Sequence, residues 1–215
     1  MTGVVALLSA TVALSPLPAL PQRGLALETK AGVELQTLAG RRLAALPGLD
    51  LATDQASAHT LVLRDRQARL FALDPTARGL RERRVRNGCR ATDVKLVVCA
   101  HTIRSRGRVV AHGPGKIGRW VWAERAPSGD AVLAQWSAEC EVPVAYLIAG
   151  RSMRAYALES VALGWLPRGD ALIHFRNGPC GGTIHVRGIY AVARGGRMRL
   201  LLRTPRFAQY AMWGG

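Results

Sequence analysis

The chain has 215 residues, 49% of them hydrophobic, and a net charge of +16 at pH 7. That is enough apolar material for one or two packed domains and excludes a disordered polymer. The charge is nearly all arginine: beside Lys30, Lys95 and Lys116 there are 27 arginines. Scattered through Ala-, Gly- and Leu-rich sequence, they read first as composition, yet so large an excess still draws a protein toward acidic partners, anionic polymers or an anionic envelope surface.

Residues 4–14 form one apolar stretch, followed by Ser15-Pro16-Leu17-Pro18 and a small-x-small site at Gly24-Leu25-Ala26. Residues 1–26 thus resemble a signal peptide or apolar leader, although Met1-Thr2-Gly3 lacks the usual positive charge. Eleven apolar residues are too few for a transmembrane span. Residues 27–215 read as a single domain. Period-two alternation over residues 32–38, a turn at Ala39-Gly40 and a return over 41–46 predict a hairpin. Short β runs follow at 60–63, 69–73 and 80–85, and residues 93–99 read as one strand apolar enough to be buried on both faces. Residues 102–104 and 108–111 flank Ser105-Arg106-Gly107 as a further hairpin.

From there the chain repeats itself. Pro127, Gly129, Asp130 and Ala131 recur at Pro167, Gly169, Asp170 and Ala171, an offset of 40 residues that also carries Cys140 onto Cys180. Strands are expected at 118–123, 131–136, 142–148 and 153–156, and again at 161–165, 171–175, 188–193 and 197–202. Four strands per repeat of about 40 residues is the signature of a propeller blade. The fold class is therefore all-β, a β-propeller of about five four-stranded blades. One blade is shared between the N- and C-terminal ends, the tail at 207–213 supplying inner strands and residues 33–46 outer ones. Such closure hides unpaired strand edges and favours a monomer; an incomplete ring needing a partner subunit is the competing expectation.

The turn Trp165-Leu166-Pro167-Arg168-Gly169 resembles the Trp-Ser-Pro-Asp-Gly hairpin of TolB-like propellers, and Pro127 and Gly129 keep part of the same pattern. Ser128 and Arg168 replace the acidic turn residue, so the likeness is to the repeat architecture and covers about 80 residues. It implies a binding or scaffolding role in a bacterial cell envelope, or a propeller gating an attached hydrolase.

Four cysteines allow three pairings. Cys89 with Cys99, across one hairpin, and Cys140 with Cys180, in equivalent loops, are favoured, with buried free thiols as the plainer reading. Glu139 and Glu141 flank Cys140 and could bind a cation or work as an acid and base, but acids at a loop are usually solvated. His174, Cys180 and His185 lack the tight spacing of a structural zinc site; the preferred reading keeps Cys180 in a disulfide and the histidines at the surface. No metal, cofactor or catalytic residue is assigned, and no nucleophile elbow, phosphate loop or zinc-protease motif occurs in the sequence. The basic run Arg81-Glu82-Arg83-Arg84-Val85-Arg86 has no aromatic interleaved between Phe71 and Trp120, which argues against nucleic acid. Of the five tryptophans, Trp120, Trp122, Trp136 and Trp165 read as core and Trp213 as the least certain of it.

The functional expectation is a non-catalytic, secreted or envelope-associated propeller that binds a protein or glycan partner through loops on one face. The longest loop, 176–187, offers Arg176, Asn177, His185 and Arg187, and the equivalent loop of the preceding repeat offers Glu139 and Glu141. The alternative is a small propeller hydrolase or lyase acting on a sugar or peptide, which clustered acids and a histidine around the central channel would support.

Overall fold

Glycine turns between short apolar runs divide the chain into antiparallel strands. In a computed structural model, residues 17–52, 60–83, 88–93, 95–138, 142–176, 186–205 and 208–214 are described, and they form twenty strands and no helix. The strands make five four-stranded sheets, the blades of a propeller. Blade 1 combines β1 (Gly24–Thr29), β2 (Gly32–Gln36) and β3 (Arg42–Pro47) with β20 (Tyr210–Trp213) from the tail. Blade 2 is β4 (Leu49–Leu51), β5 (Val62–Asp65), β6 (Leu70–Asp74) and β7 (Gly79–Arg83). Blade 3 is β8 (Arg90–Asp93), β9 (Leu96–Val98), β10 (Thr102–Ser105) and β11 (Arg108–His112). Blade 4 is β12 (Arg119–Arg125), β13 (Ala131–Ser137), β14 (Pro143–Ala149) and β15 (Ser152–Ala155). Blade 5 is β16 (Ser160–Trp165), β17 (Ala171–Phe175), β18 (Gly188–Val192) and β19 (Met198–Arg203).

The 40-residue repeat is the first hairpin of blades 4 and 5. In the β12–β13 turn the Gly129 amide donates to the Ala126 carbonyl at 2.8 Å, and in the β16–β17 turn the Gly169 amide donates to Leu166 at 2.9 Å. Gly129 and Gly169 have φ of 80° and 86°, a conformation that costs a residue with a Cβ and costs glycine nothing. The next strand then enters the core along its whole length: Leu133 and Ile173, equivalent in the two repeats, are both fully buried.

Ring closure pairs the two ends of the chain. β20 is hydrogen-bonded to β1, with Gly24 opposite Trp213 and Leu27 opposite Tyr210. The shared blade thus takes three strands from the N-terminal side and one from the tail, rather than the even split expected. The apolar residues just before the N-terminal hairpin are its second strand: Leu25 and Ala26 are fully buried, and the Trp213 indole donates to the Pro21 carbonyl at 3.2 Å. Trp213, the tryptophan least expected in the core, is 0% exposed. Its ring lies where any side chain on Gly24 would have to go.

The expected single strand over 93–99 is instead divided between two, β8 and β9, which pair antiparallel with Asp93 opposite Leu96. Nor is it buried on both faces, because Leu96 and Val98 are covered while Val97 is 38% exposed. This hairpin places Cys89 beside Cys99, and the two form a disulfide with Cα atoms 4.2 Å apart. The expected Cys140–Cys180 pair lies outside the described residues.

Shared apolar clusters hold most blades together. One joins blades 1 and 2 through Leu35, Leu46, Leu63 and Trp213, another blades 3 and 4 through Leu96, Ile103, Trp120 and Trp136. A third joins blades 4 and 5 through Trp122, Leu133, Trp165 and Ile173, and a fourth closes blade 5 on blade 1 through Leu172, Ile189, Tyr210 and Met212. The Trp120 ring meets Trp136 and Tyr146 edge-on at centroid distances of 5.0 and 5.4 Å, a geometry favoured by the ring quadrupole.

Candidate functional site

The strands that lead into both loops singled out by the sequence are equivalent, each the second of its blade: β13 ends ahead of residues 138–142 and β17 ahead of residues 176–187. The structure describes the two ends of the longer loop. Arg176 leaves β17 and donates to the Glu159 carboxylate at 3.0 Å, while its own amide donates to the Glu159 carbonyl at 2.9 Å. Glu159 is buried and holds φ of 63°, so this ion pair fixes an unusual backbone where the chain enters blade 5. Arg187 re-enters the sheet at β18, half-buried, and its carbonyl accepts from the Thr204 amide at 3.5 Å. Arg176 and Arg187 are thus brought to the root of one loop, and Arg176 is committed to an internal pair. Asn177, His185, Glu139 and Glu141 lie outside the described residues.

His174 is not at the surface. It stands on β17, next to the last residue of the strand, 0% exposed, with Nε2 3.0 Å from the Thr204 hydroxyl and its ring edge-on to Tyr210 at 5.0 Å. Burial, with the nearby Arg176 cation, pushes its pKa down to about 3, so the imidazole is neutral at physiological pH. The outward reading failed because His174 lies one residue from the end of a fully apolar strand, where the loop was expected to begin.

A second polar group lies on the innermost strands. Glu124, on β12, is 3% exposed, and burial together with the charge of Asp93 raises its pKa to about 8 against a smaller opposing effect of Arg23. Asp93 accepts from the Arg125 amide at 2.9 Å. The Arg125 guanidinium donates to the Ser105 hydroxyl and the Gly129 carbonyl, both at 2.8 Å, so these groups tie blade 3 to blade 4. Arg23 donates to the Trp165 carbonyl at 3.1 Å, and the Trp165 indole donates to the Glu124 carbonyl at the same distance. Gly164 must remain a glycine here: its φ is 147°, and a Cβ would run into Met212 and crowd the Glu124 carboxyl. The sequence signal for Glu124 was an acid directly continuing the apolar run Trp122-Ala123, which reads equally well as the start of a turn.

Gln135 joins blades 4 and 5. Its amide donates to the Trp136 and Ser160 carbonyls at 3.0 and 3.4 Å and accepts from the Ala162 amide at 2.6 Å. Ser160, fully buried, accepts from the Ala145 amide at 2.9 Å. Away from the channel, Asp170, Ala191, Ala193, Arg197, Met198 and Arg199 line a cleft of about 420 Å³ on the outer part of blade 5. Among the described residues no three His, Cys, Asp or Glu side chains are grouped to hold a metal, and no helix is long and apolar enough to cross a membrane.

Compared with known proteins, the chain matches no protein-family model, and no curated protein matches it. The architecture is a five-bladed propeller, and the TolB-like likeness rests on the hairpin turns.

Proposed function

We propose that this protein is a non-catalytic propeller of the secreted or envelope-associated kind, related in its repeat to TolB-like propellers, that binds a protein or glycan partner through the loops of blades 4 and 5 on one face of the disc. The observation carrying this reading is that β13 and β17, the equivalent second strands of adjacent blades, each lead into one of these loops, the longer one rooted by Arg176 and Arg187 in the sheet. Rigid strands that present adjacent loops are how a propeller builds a binding face. The Cys89–Cys99 disulfide is compatible with an oxidising compartment. A leader cut after Ala26 would take Gly24, Leu25 and Ala26 out of blade 1, so processing is expected N-terminal to Leu17, whose amide donates to the Arg78 carbonyl at 3.0 Å.

The test is binding of the purified protein to a panel of envelope glycans and to defined envelope proteins, repeated with Arg187→Ala and with Glu139→Ala/Glu141→Ala. Retention of one ligand class that falls at least tenfold in the loop variants, at unchanged melting temperature, supports the reading. Retention that the loop variants leave intact sinks it.

One observation favours the alternative, a small propeller hydrolase or lyase acting on a sugar or peptide: burial and the neighbouring Asp93 raise the Glu124 pKa to about 8, so this carboxyl keeps its proton at neutral pH as a general acid does. Against it, Glu124 is 3% exposed, and His174 is occupied by Thr204 and Tyr210. Release of reducing ends or peptide fragments that Glu124→Gln abolishes would decide for the enzyme.

A further inference from the structure

Blades 4 and 5 close against the blades that follow them with different side chains. On the side of blade 4 that packs on blade 5, one row of the sheet runs Leu133, Leu147, Arg154 across three strands, and both leucines are buried in the shared cluster. The next row toward the turns is Ala131, Ala149, Ser152. On the side of blade 5 that packs on blade 1, the matching row runs Leu172, Ala191, Arg199, with Leu172 buried in the closing cluster. Alternation along the strands puts Asp170, Ala193 and Arg197 two residues further on that same side. Alanine thus stands on the middle strand where blade 4 has Leu147, and a carboxylate and a guanidinium flank Ala193 where blade 4 has Ala131 and Ser152.

Short side chains on the middle strand between long ones on its neighbours leave the cleft of about 420 Å³ that Asp170, Ala191, Ala193, Arg197, Met198 and Arg199 line. A space of that size admits a small organic molecule. Its charges are not used by the chain: among the described residues neither the Asp170 carboxylate nor the guanidinium of Arg197 or Arg199 has a hydrogen-bond or ion-pair partner. The turn of blade 4 shows the contrast, because Asp130 there is paired with Arg194. Arg194 and Arg168 do not line the cleft. Asp170 and Arg197 stand two strands apart, roughly 10 Å across the sheet, so a gap separates the acid from the base.

The set of one acid and two separated bases selects its ligand by exclusion. A bare anion meets Asp170, and a bare cation meets two arginines. A molecule with a primary ammonium at one end and carboxylates at the other meets an opposite charge at each. No aromatic ring lines the cleft, so a quaternary ammonium lacks the cage it needs. We infer that this cleft binds an acidic α-amino acid, its ammonium on Asp170, its two carboxylates on Arg197 and Arg199, and its methylene groups over Ala191, Ala193 and Met198. The site lies where β17 begins, at the other end of that strand from residues 176–187, and it stands without the loop reading.

The experiment is an isotope-edited NMR titration of the full protein with L-glutamate, with glutarate, which lacks the ammonium, and with inorganic phosphate. The amides of Ala193, Arg197 and Arg199 are expected to shift saturably with L-glutamate, glutarate and phosphate each binding at least fivefold more weakly. Asp170→Asn should weaken L-glutamate at least fivefold and leave glutarate no weaker. Arg199→Ala should weaken both at least fivefold, and Arg151→Ala, an exposed cation on blade 4, should leave all three ligands within twofold. The wild-type comparison of L-glutamate with glutarate tests the site even where a variant fails to fold. Absence of a saturable shift with L-glutamate, glutarate or phosphate binding as tightly, shifts centred on other residues, or equal loss in Arg151→Ala overturns the inference.

Discussion

Raising the pH across the titration of two buried groups should give this protein a stability profile with two opposed limbs, because Glu124 and His174 are both held neutral against solvent. His174 has a folded pKa of about 3 against an ordinary 6.5. Between those values the unfolded chain binds a proton that the folded chain refuses, so stability rises with pH. Glu124 has a folded pKa of about 8 against an ordinary 4.5. Between those values the folded chain keeps a proton that the unfolded chain releases, so stability falls as pH rises. From pH 4.5 to 6.5 the two slopes cancel and a plateau results. Below it, from about pH 4.5 to 3, His174 alone acts; above it, from about 6.5 to 8, Glu124 alone acts. At ~1.36 kcal/mol per pH unit each limb amounts to about 2 kcal/mol, or about 4–8 °C in melting temperature for a chain of this size. The lowered pKa values of Asp65, Asp74 and Asp130 act in the acid direction below the ordinary carboxylate range. The acid limb is therefore read as the difference between wild type and His174→Leu. Urea unfolding followed by circular dichroism from pH 3 to 9 is the assay. Glu124→Gln should erase the alkaline limb and keep the acid one, and His174→Leu should do the reverse. An alkaline limb that survives in Glu124→Gln refutes the assignment.

Other consequences follow from the way the ring is closed and stapled. Reduction of Cys89–Cys99, which closes a loop of ten residues, is expected to cost about 2–3 kcal/mol by chain entropy, checked by urea unfolding with and without reductant; alkylation and intact mass should find these two cysteines protected before reduction. Deletion of residues 208–215 removes Tyr210, Met212 and Trp213 from two core clusters and exposes the edge of β1, so the truncated protein should lose its cooperative transition and aggregate, measured by calorimetry and light scattering.

The repeat was legible because a propeller blade advertises itself through its first turn: Pro127 with Gly129 and Pro167 with Gly169 mark a backbone that few other residues accept. Blades 4 and 5 could therefore be read strand by strand. Blade 1 was harder, since Leu25, Ala26 and Leu27 look like the end of a leader and become a strand only through Tyr210 to Trp213, more than 180 residues away. No local pattern carries that information. The β8–β9 hairpin was hidden for a different reason. Asp93 ends one short strand and Leu96 opens the next, and the apolar run Leu96-Val97-Val98 masks the fact that its middle valine faces out.

The same reasoning explains why the site was only half legible. Charge that solvates a rim and charge that lines a cleft have the same composition; only the register separates them. Arg197 and Arg199 alternate with Met198 as any edge strand would. It is the pairing of Arg199 with Ala191 and of Ala191 with Leu172 that sets those arginines on the side of blade 5 that carries Asp170.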